Sequence, residues 1–82
     1  MELREKLRRR GVPDPAFSIG HDSNESHCLI EESDGWHVFY SERGHRNSEE
    51  VFSAESDAAD ELTRRLLADG AVQSWIDAHR RD

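Results

Sequence analysis

The stretch His27-Cys28-Leu29-Ile30-Glu31-Glu32-Ser33-Asp34-Gly35-Trp36-His37-Val38-Phe39-Tyr40-Ser41 decides the fold. Two apolar-rich runs flank a polar Ser-Asp-Gly break, the pattern of two strands joined by a tight turn. Two registers compete. A two-residue Asp34-Gly35 turn pairs Ser33 with Trp36. It puts Cys28 and Ile30 on the face opposite Trp36, Val38 and Tyr40, and neither face is then cleanly apolar. A three-residue loop, with Gly35 as a left-handed bulge residue, pairs Glu32 with Trp36. Cys28, Ile30, Trp36, Val38 and Tyr40 then share one face, and Leu29 and Phe39 share the other. A one-residue slip flips every side chain, so burial selects the second register.

The same turn chemistry recurs at Glu42-Arg43-Gly44 and leads into a third strand from about His45 to Phe52. Its Ser, Asn and Glu content suits an edge that resists pairing with other chains, and Phe52 falls on the core face. Upstream, 16–19 reads as a short strand that either joins the sheet or stands apart, and 20–26 as a polar loop. Residues 2–10 form a helix with Leu3 and Leu7 on one face. Gly11 ends it, and Pro13 and Pro15 prevent its resumption. After the strands, Ser53 or Ser56 caps a helix whose first turns carry Glu55, Asp57, Asp60 and Glu61. Its buried stripe is Ala59, Leu62, Leu66 and Leu67, and Gly70 ends it. A last helix over 71–81 sets Val72, Trp75, Ile76 and His79 on one face, with Trp75 docked on the sheet. The expected fold is therefore α+β. One domain spans 1–82: a three- to four-stranded antiparallel meander with one N-terminal and two C-terminal helices packed on one face.

The 82 residues allow one small core and leave little room for a deep active site. Eighteen acidic against eleven basic residues give a formal net charge of −7. Phosphate backbones repel such a surface, so nucleic acid is excluded as the expected ligand. A basic protein partner is favoured by electrostatic steering, although solubility alone also accounts for the charge. Cys28 is the only cysteine, so no internal disulfide forms, and a single thiol suits a reducing compartment. Residues 1–10 lack the apolar segment of a signal peptide, and no apolar run approaches membrane-spanning length. The expected location is the cytoplasm, without membrane association.

Five histidines and a cysteine invite a metal reading: His21, His27, Cys28, His37, His45 and His79. No CxxC, helical HxxxH or zinc-finger spacing supports it, and adjacent His27 and Cys28 point to opposite faces of a strand. In the chosen register His27, Ser41 and His45 lie side by side. A second row joins Glu31, His37 and Glu49. A histidine between carboxylates has the elements of a general base or proton switch, but also those of an ordinary cross-strand ladder. No phosphate loop, nucleophile elbow or paired-carboxylate motif is present, so no cofactor, metal or catalytic residue is expected. Cys28, beside Ile30, reads as packed and inert.

Leu29 and Phe39 sit between these polar rows. Two readings stay open: the apolar centre of a protein interface, rimmed by Glu31, His37, Asn47 and Glu49, or ordinary core under a further element. The first makes the chain a protein-binding module and not an enzyme, with self-association into a homodimeric scaffold or regulatory protein as the alternative.

The string Gly35-Trp36-His37-Val38-Phe39-Tyr40-Ser41-Glu42-Arg43-Gly44, followed by Phe52 and an acidic helix start, resembles small acidic bacterial proteins of polymorphic-toxin systems, where they serve as immunity proteins. The resemblance runs from about Ala16 to Leu67 through Phe17-Ser18-Ile19-Gly20, and excludes the last helix. It implies a protein that caps a toxin's active site or locks it inactive. It points to the Tyr40–Gly44 corner, where Glu42 and Arg43 reach out from a hairpin tip. The implied partner is a basic toxin domain.

Overall fold

The computed structural model describes residues 2–79. Helix α1 (Leu3–Arg9) leads through a 3-10 turn (Asp14–Ala16) into strands β1 (Phe17–Ile19), β2 (Ser26–Glu32), β3 (Gly35–Glu42) and β4 (His45–Phe52). Helices α2 (Glu55–Ala68) and α3 (Gly70–Ala78) follow. The expected α+β architecture is therefore present. The sheet order is β1-β2-β3-β4. It is mixed and not a pure meander, because β1 runs parallel to β2, pairing Phe17 with His27 and Ile19 with Leu29. Parallel neighbours ordinarily need a long crossover. Here β1 is only three residues long, so the loop 20–25 suffices to carry the chain back.

α1 ends as its sequence dictates. Gly11 N–H donates to the Arg8 carbonyl and Val12 N–H to the Leu7 carbonyl, the paired bonds of a Schellman cap. Val12 and Leu7 are both buried there. α2 departs from expectation at both ends. Its N-cap is Ala54, which makes no side-chain cap bond, in place of Ser53 or Ser56. Gly70 does not end it. Asp69 breaks the chain direction in an extended conformation and caps α3 by accepting from Ala71 N–H, so Gly70 opens the next helix. The buried stripe of α2 is Ala58, Leu62 and Leu66, with Ala59 and Leu67 at its margins. The reading of the last helix to Arg81 falls partly outside the described residues.

The central register is a correction. Glu32 pairs with Gly35, Glu31 with Trp36, Leu29 with Val38 and Cys28 with Phe39. The loop is the two residues Ser33-Asp34. Trp36, Val38 and Tyr40 therefore share a face with Leu29, while Cys28 and Ile30 lie opposite. The expectation of one clean apolar face fails because both faces are covered. On the helix face, Leu29 and Val38 join Leu62, Leu66, Leu7, Phe17 and Val72 in the core. On the open face, Cys28, Phe39, Ser26 and Ser41 are equally buried. The loop 20–25 covers part of that face: Asp22 accepts from the Ser41 hydroxyl, the His21 carbonyl accepts from Ser18 (2.7 Å), and the Ser23 carbonyl lies 3.8 Å from the Cys28 sulfur.

The second hairpin also has a two-residue loop, pairing Glu42 with His45. Arg43 and Gly44 both have positive φ (52° and 79°), the backbone of a type I′ turn. Gly35 is required for a different reason. Its φ is +138°, and an added Cβ would stand 2.6 Å from the Phe52 carbonyl oxygen. β4 is interrupted by a bulge between its pairings with Val38 and Tyr40, where Ser48 takes φ 55°. The bulge changes what β4 presents. Residues three apart on a regular strand face opposite sides. Across this bulge, Arg46 and Glu49 both reach the open face.

Candidate functional site

The largest groove, of about 560 Å³, lies on the helix side of the sheet at the margin of α3. Its floor is His27 of β2 and Tyr40 of β3, cross-strand partners whose rings meet tilted with centroids 4.9 Å apart. Pro13, Pro15 and Ala16 form one wall, and Ala71, Val72 and Trp75 the other. Asp14, Glu25 and Asp69 also line it, and among the described residues no lysine or arginine does.

Asp69 fixes the groove's geometry through two oxygens. Oδ1 accepts from Ala71 N–H at 2.9 Å, and Oδ2 accepts from His27 Nε2 at 2.9 Å. The hydrogen bond to His27 holds the Asp69 carboxyl below its usual range. The junction between α2 and α3 is thus bolted to β2. The other ring nitrogen of His27, Nδ1, is buried without a hydrogen-bond partner among the described residues. Burial pushes the Tyr40 phenol above its usual value, helped by the negative charges of Glu42, Glu25 and Asp69. Trp75 is 46% exposed and stacks on His79 with centroids 3.8 Å apart. It does not dock on the sheet as expected. Val72 and Ile76 provide the helix's inward face instead, and Trp75 lies one position around from that stripe.

The residues singled out from sequence are dispersed. Leu29 is 1% exposed under the helices and Phe39 is 0% exposed on the opposite face, so they form no common surface and neither is offered to a partner. Glu31 projects on the helix side beside Trp36, not in a row with His37. His27 and Ser41 face opposite sides of the sheet, which dissolves the expected His27–Ser41–His45 row. Glu42 and Arg43 are exposed at the hairpin tip, where Arg43 N–H donates to Asn24 Oδ1 at 2.8 Å. The negative charge of Glu42 acts on the ionisation of Tyr40, but neither Glu42 nor Arg43 lines the groove.

His37 and Glu49 do meet. His37 Nδ1 lies 2.7 Å from Glu49 Oε2, while Nε2 lies 2.6 Å from Asp34 Oδ1 and 3.3 Å from Glu32 Oε1. Hydrogen bonds from Asp34 and then Glu49 hold the imidazole above its usual value. Arg46 clamps Glu32 (2.9 Å) and Glu49 (2.7 Å), and its guanidinium lies 4.3 Å over the Phe39 ring. This polar lid is what buries Phe39.

Sequence reasoning named Trp75, docked or partly exposed for self-association, but did not bring it together with Glu25 and the His27–Asp69 pair. One signal was available: Trp75 is a large aromatic on a short final helix whose inward face is already supplied by Val72 and Ile76. The chain matches no protein-family model, and comparisons with curated proteins and with solved structures give no match. Among the described residues no helix is long and apolar enough to cross a membrane.

Proposed function

We propose that this chain is a protein-binding module of the cytoplasm that acts as an immunity-type inhibitor, docking a basic toxin domain in the groove beside Trp75. The observation that carries the reading is the groove itself. It sets a half-exposed tryptophan and a tyrosine among prolines and alanines, with three carboxylates and, among the described residues, no lysine or arginine in its lining. Aromatic anchors within a polar rim are the anatomy of a protein interface, and Trp and Tyr are over-represented among the residues that dominate binding energy. The net charge of −7 favours a basic partner and speeds its approach.

A binding role also fits the chemistry of the groove better than catalysis does. The one free nitrogen of the His27–Asp69 pair is buried, so it has no path to exchange a proton with a ligand. The Tyr40 phenol is shifted away from ionisation, which weakens it as a nucleophile. Self-association is the second reading. Val51, 48% exposed on the edge strand β4, favours it, while the charges and bulge of β4 oppose edge pairing.

Co-expression with a panel of basic bacterial toxin domains tests the proposal. The expected result is rescued growth and a stoichiometric complex on size exclusion, with both lost in Glu25→Arg and Trp75→Ala variants of unchanged melting temperature. A chain that elutes as a dimer and gives no rescue replaces the inhibitor reading with the self-associating module.

A further inference from the structure

The open face of the sheet holds a second cluster, on the opposite side from the groove. We infer that Glu32, Asp34 and His37 Nε2 form a binding site for a divalent transition-metal ion of the zinc type, with Glu49 orienting the histidine. The three ligand atoms lie within 4.8 Å of one another. His37 is 7% exposed, so it is a held group and not a loose surface histidine.

The argument rests on counting protons. A neutral imidazole has one N–H and one lone pair. Here both ring nitrogens face carboxylate oxygens, Glu49 on Nδ1 at 2.7 Å and Asp34 on Nε2 at 2.6 Å. If Nδ1–H donates to Glu49, the Nε2 lone pair points at Asp34 and, at 3.3 Å, at Glu32. Three electron-rich atoms then converge on one point, where either the second proton of an imidazolium or a metal ion can stand. A single proton serves one carboxylate well, whereas a metal ion serves all three atoms. Tetrahedral zinc with bonds of about 2.0–2.1 Å sets its ligands about 3.3 Å apart. The separation of Nε2 from Glu32 already has this value, and Asp34, in the exposed Ser33-Asp34 turn, is free to retreat by the remaining fraction of an ångström. Solvent supplies the fourth position.

Charge and outer contacts agree. The three carboxylates Glu32, Asp34 and Glu49 exceed the one guanidinium of Arg46 by two negative charges; an imidazolium at His37 offsets one of them, and a divalent ion that displaces its Nε2 proton offsets both. Glu49 accepting from the Nδ1–H of a ligating histidine is the usual carboxylate–histidine–metal relay, which fixes the tautomer. Arg46 holds both Glu49 and Glu32 in place. Two backbone features assemble the site: the tight turn before Gly35 brings Asp34 back to His37, and the β4 bulge puts Glu49 and Arg46 on the same face. The ligand order Glu-x-Asp-x-x-His across a hairpin matches none of the common zinc spacings, which is why sequence spacing hides it.

Calorimetric titration of the whole chain with zinc chloride tests the inference, with magnesium chloride as control. The expected result is one Zn2+ per chain and no saturable Mg2+ binding, since Mg2+ demands octahedral oxygen ligation. Asp34→Asn and His37→Gln each weaken zinc by at least about tenfold, and Glu49→Gln weakens it by about 10- to 100-fold at unchanged stoichiometry. Asp34 is exposed, so its variant keeps the test valid if His37→Gln does not fold. No saturable zinc binding, or equal binding by the wild type and Asp34→Asn, overturns the assignment. The second result would place the metal on other histidines.

Discussion

The two faces of the sheet bury their side chains by different means. On the helix side, Leu29 and Val38 lie under α2, and apolar surface meets apolar surface from Leu62, Leu66 and Ala58. On the open side, Cys28 and Phe39 are just as inaccessible, but their cover is a six-residue polar loop and the guanidinium of Arg46. A chain of 82 residues has enough helix to cover one face of a four-stranded sheet and not both. The second face is closed with charged side chains, whose stems and planar ends exclude water while their charges stay hydrated. The difference teaches that a fully buried aromatic need not signal an apolar layer above it. It also divides the molecule's work: tight packing sits on one face, and charge chemistry on the other.

The largest expected effect tests the packed face. Leu62→Ala removes a fully buried side chain of α2 and should cost about 2–5 kcal/mol, read as a lowered denaturation midpoint at unchanged slope. A cost below 1 kcal/mol would mean that α2 covers the sheet loosely. The open face should respond more weakly and in a coupled way. A double-mutant cycle of Phe39→Leu with Arg46→Ala should return a coupling of about 0.5–1 kcal/mol, the range for a cation over an aromatic ring. Strict additivity would show that the guanidinium is a bystander. The smallest effect concerns the polar margin of α2. Glu61 bonds Arg64 and Arg65, and these hold its carboxyl down at about 2. Arg65 in turn reaches Glu50 on β4. Because the folded value lies below the unfolded one, this contribution is complete above pH 4.5 and fades as pH falls toward 2. Glu61→Gln should therefore flatten the acid limb of the stability profile while costing about 0.3–0.5 kcal/mol at neutral pH.

What was legible in the sequence divides along the same line. Helix α1 with its cap, the extents of β2 to β4 and the stripe of α2 follow from local signals: Leu3 with Leu7, Gly11, the alternating runs and Leu62 with Leu66. The register was not legible, because it was inferred from the premise that one face must be apolar. Phe39 under Arg46 violates that premise. The β4 bulge was hidden too, since Ser48 adopts a positive φ without being Gly, Asn or Asp. Asp69 carried a double role that no spacing reveals, capping α3 while holding His27 from a strand 42 residues earlier in the chain. The interface residues read from sequence followed the register, so Leu29 and Phe39 fell with it. Glu42 and Arg43 stand exposed at the hairpin tip as read, because a tip, unlike the faces, does not depend on parity.

The most direct test of the central claim, that the helix-side groove and not the open sheet face receives the partner, is a calorimetric comparison of two variants. The affinity for a basic toxin domain whose growth inhibition the chain rescues would be measured for the wild type, Trp75→Ala and Val51→Ser, the last changing the exposed apolar residue opposite His37. The account predicts that Trp75→Ala weakens binding by at least about 30-fold, as for a central aromatic anchor, and that Val51→Ser leaves it within about twofold. Loss of affinity in Val51→Ser with Trp75→Ala unaffected would contradict it and move the interface to the open face.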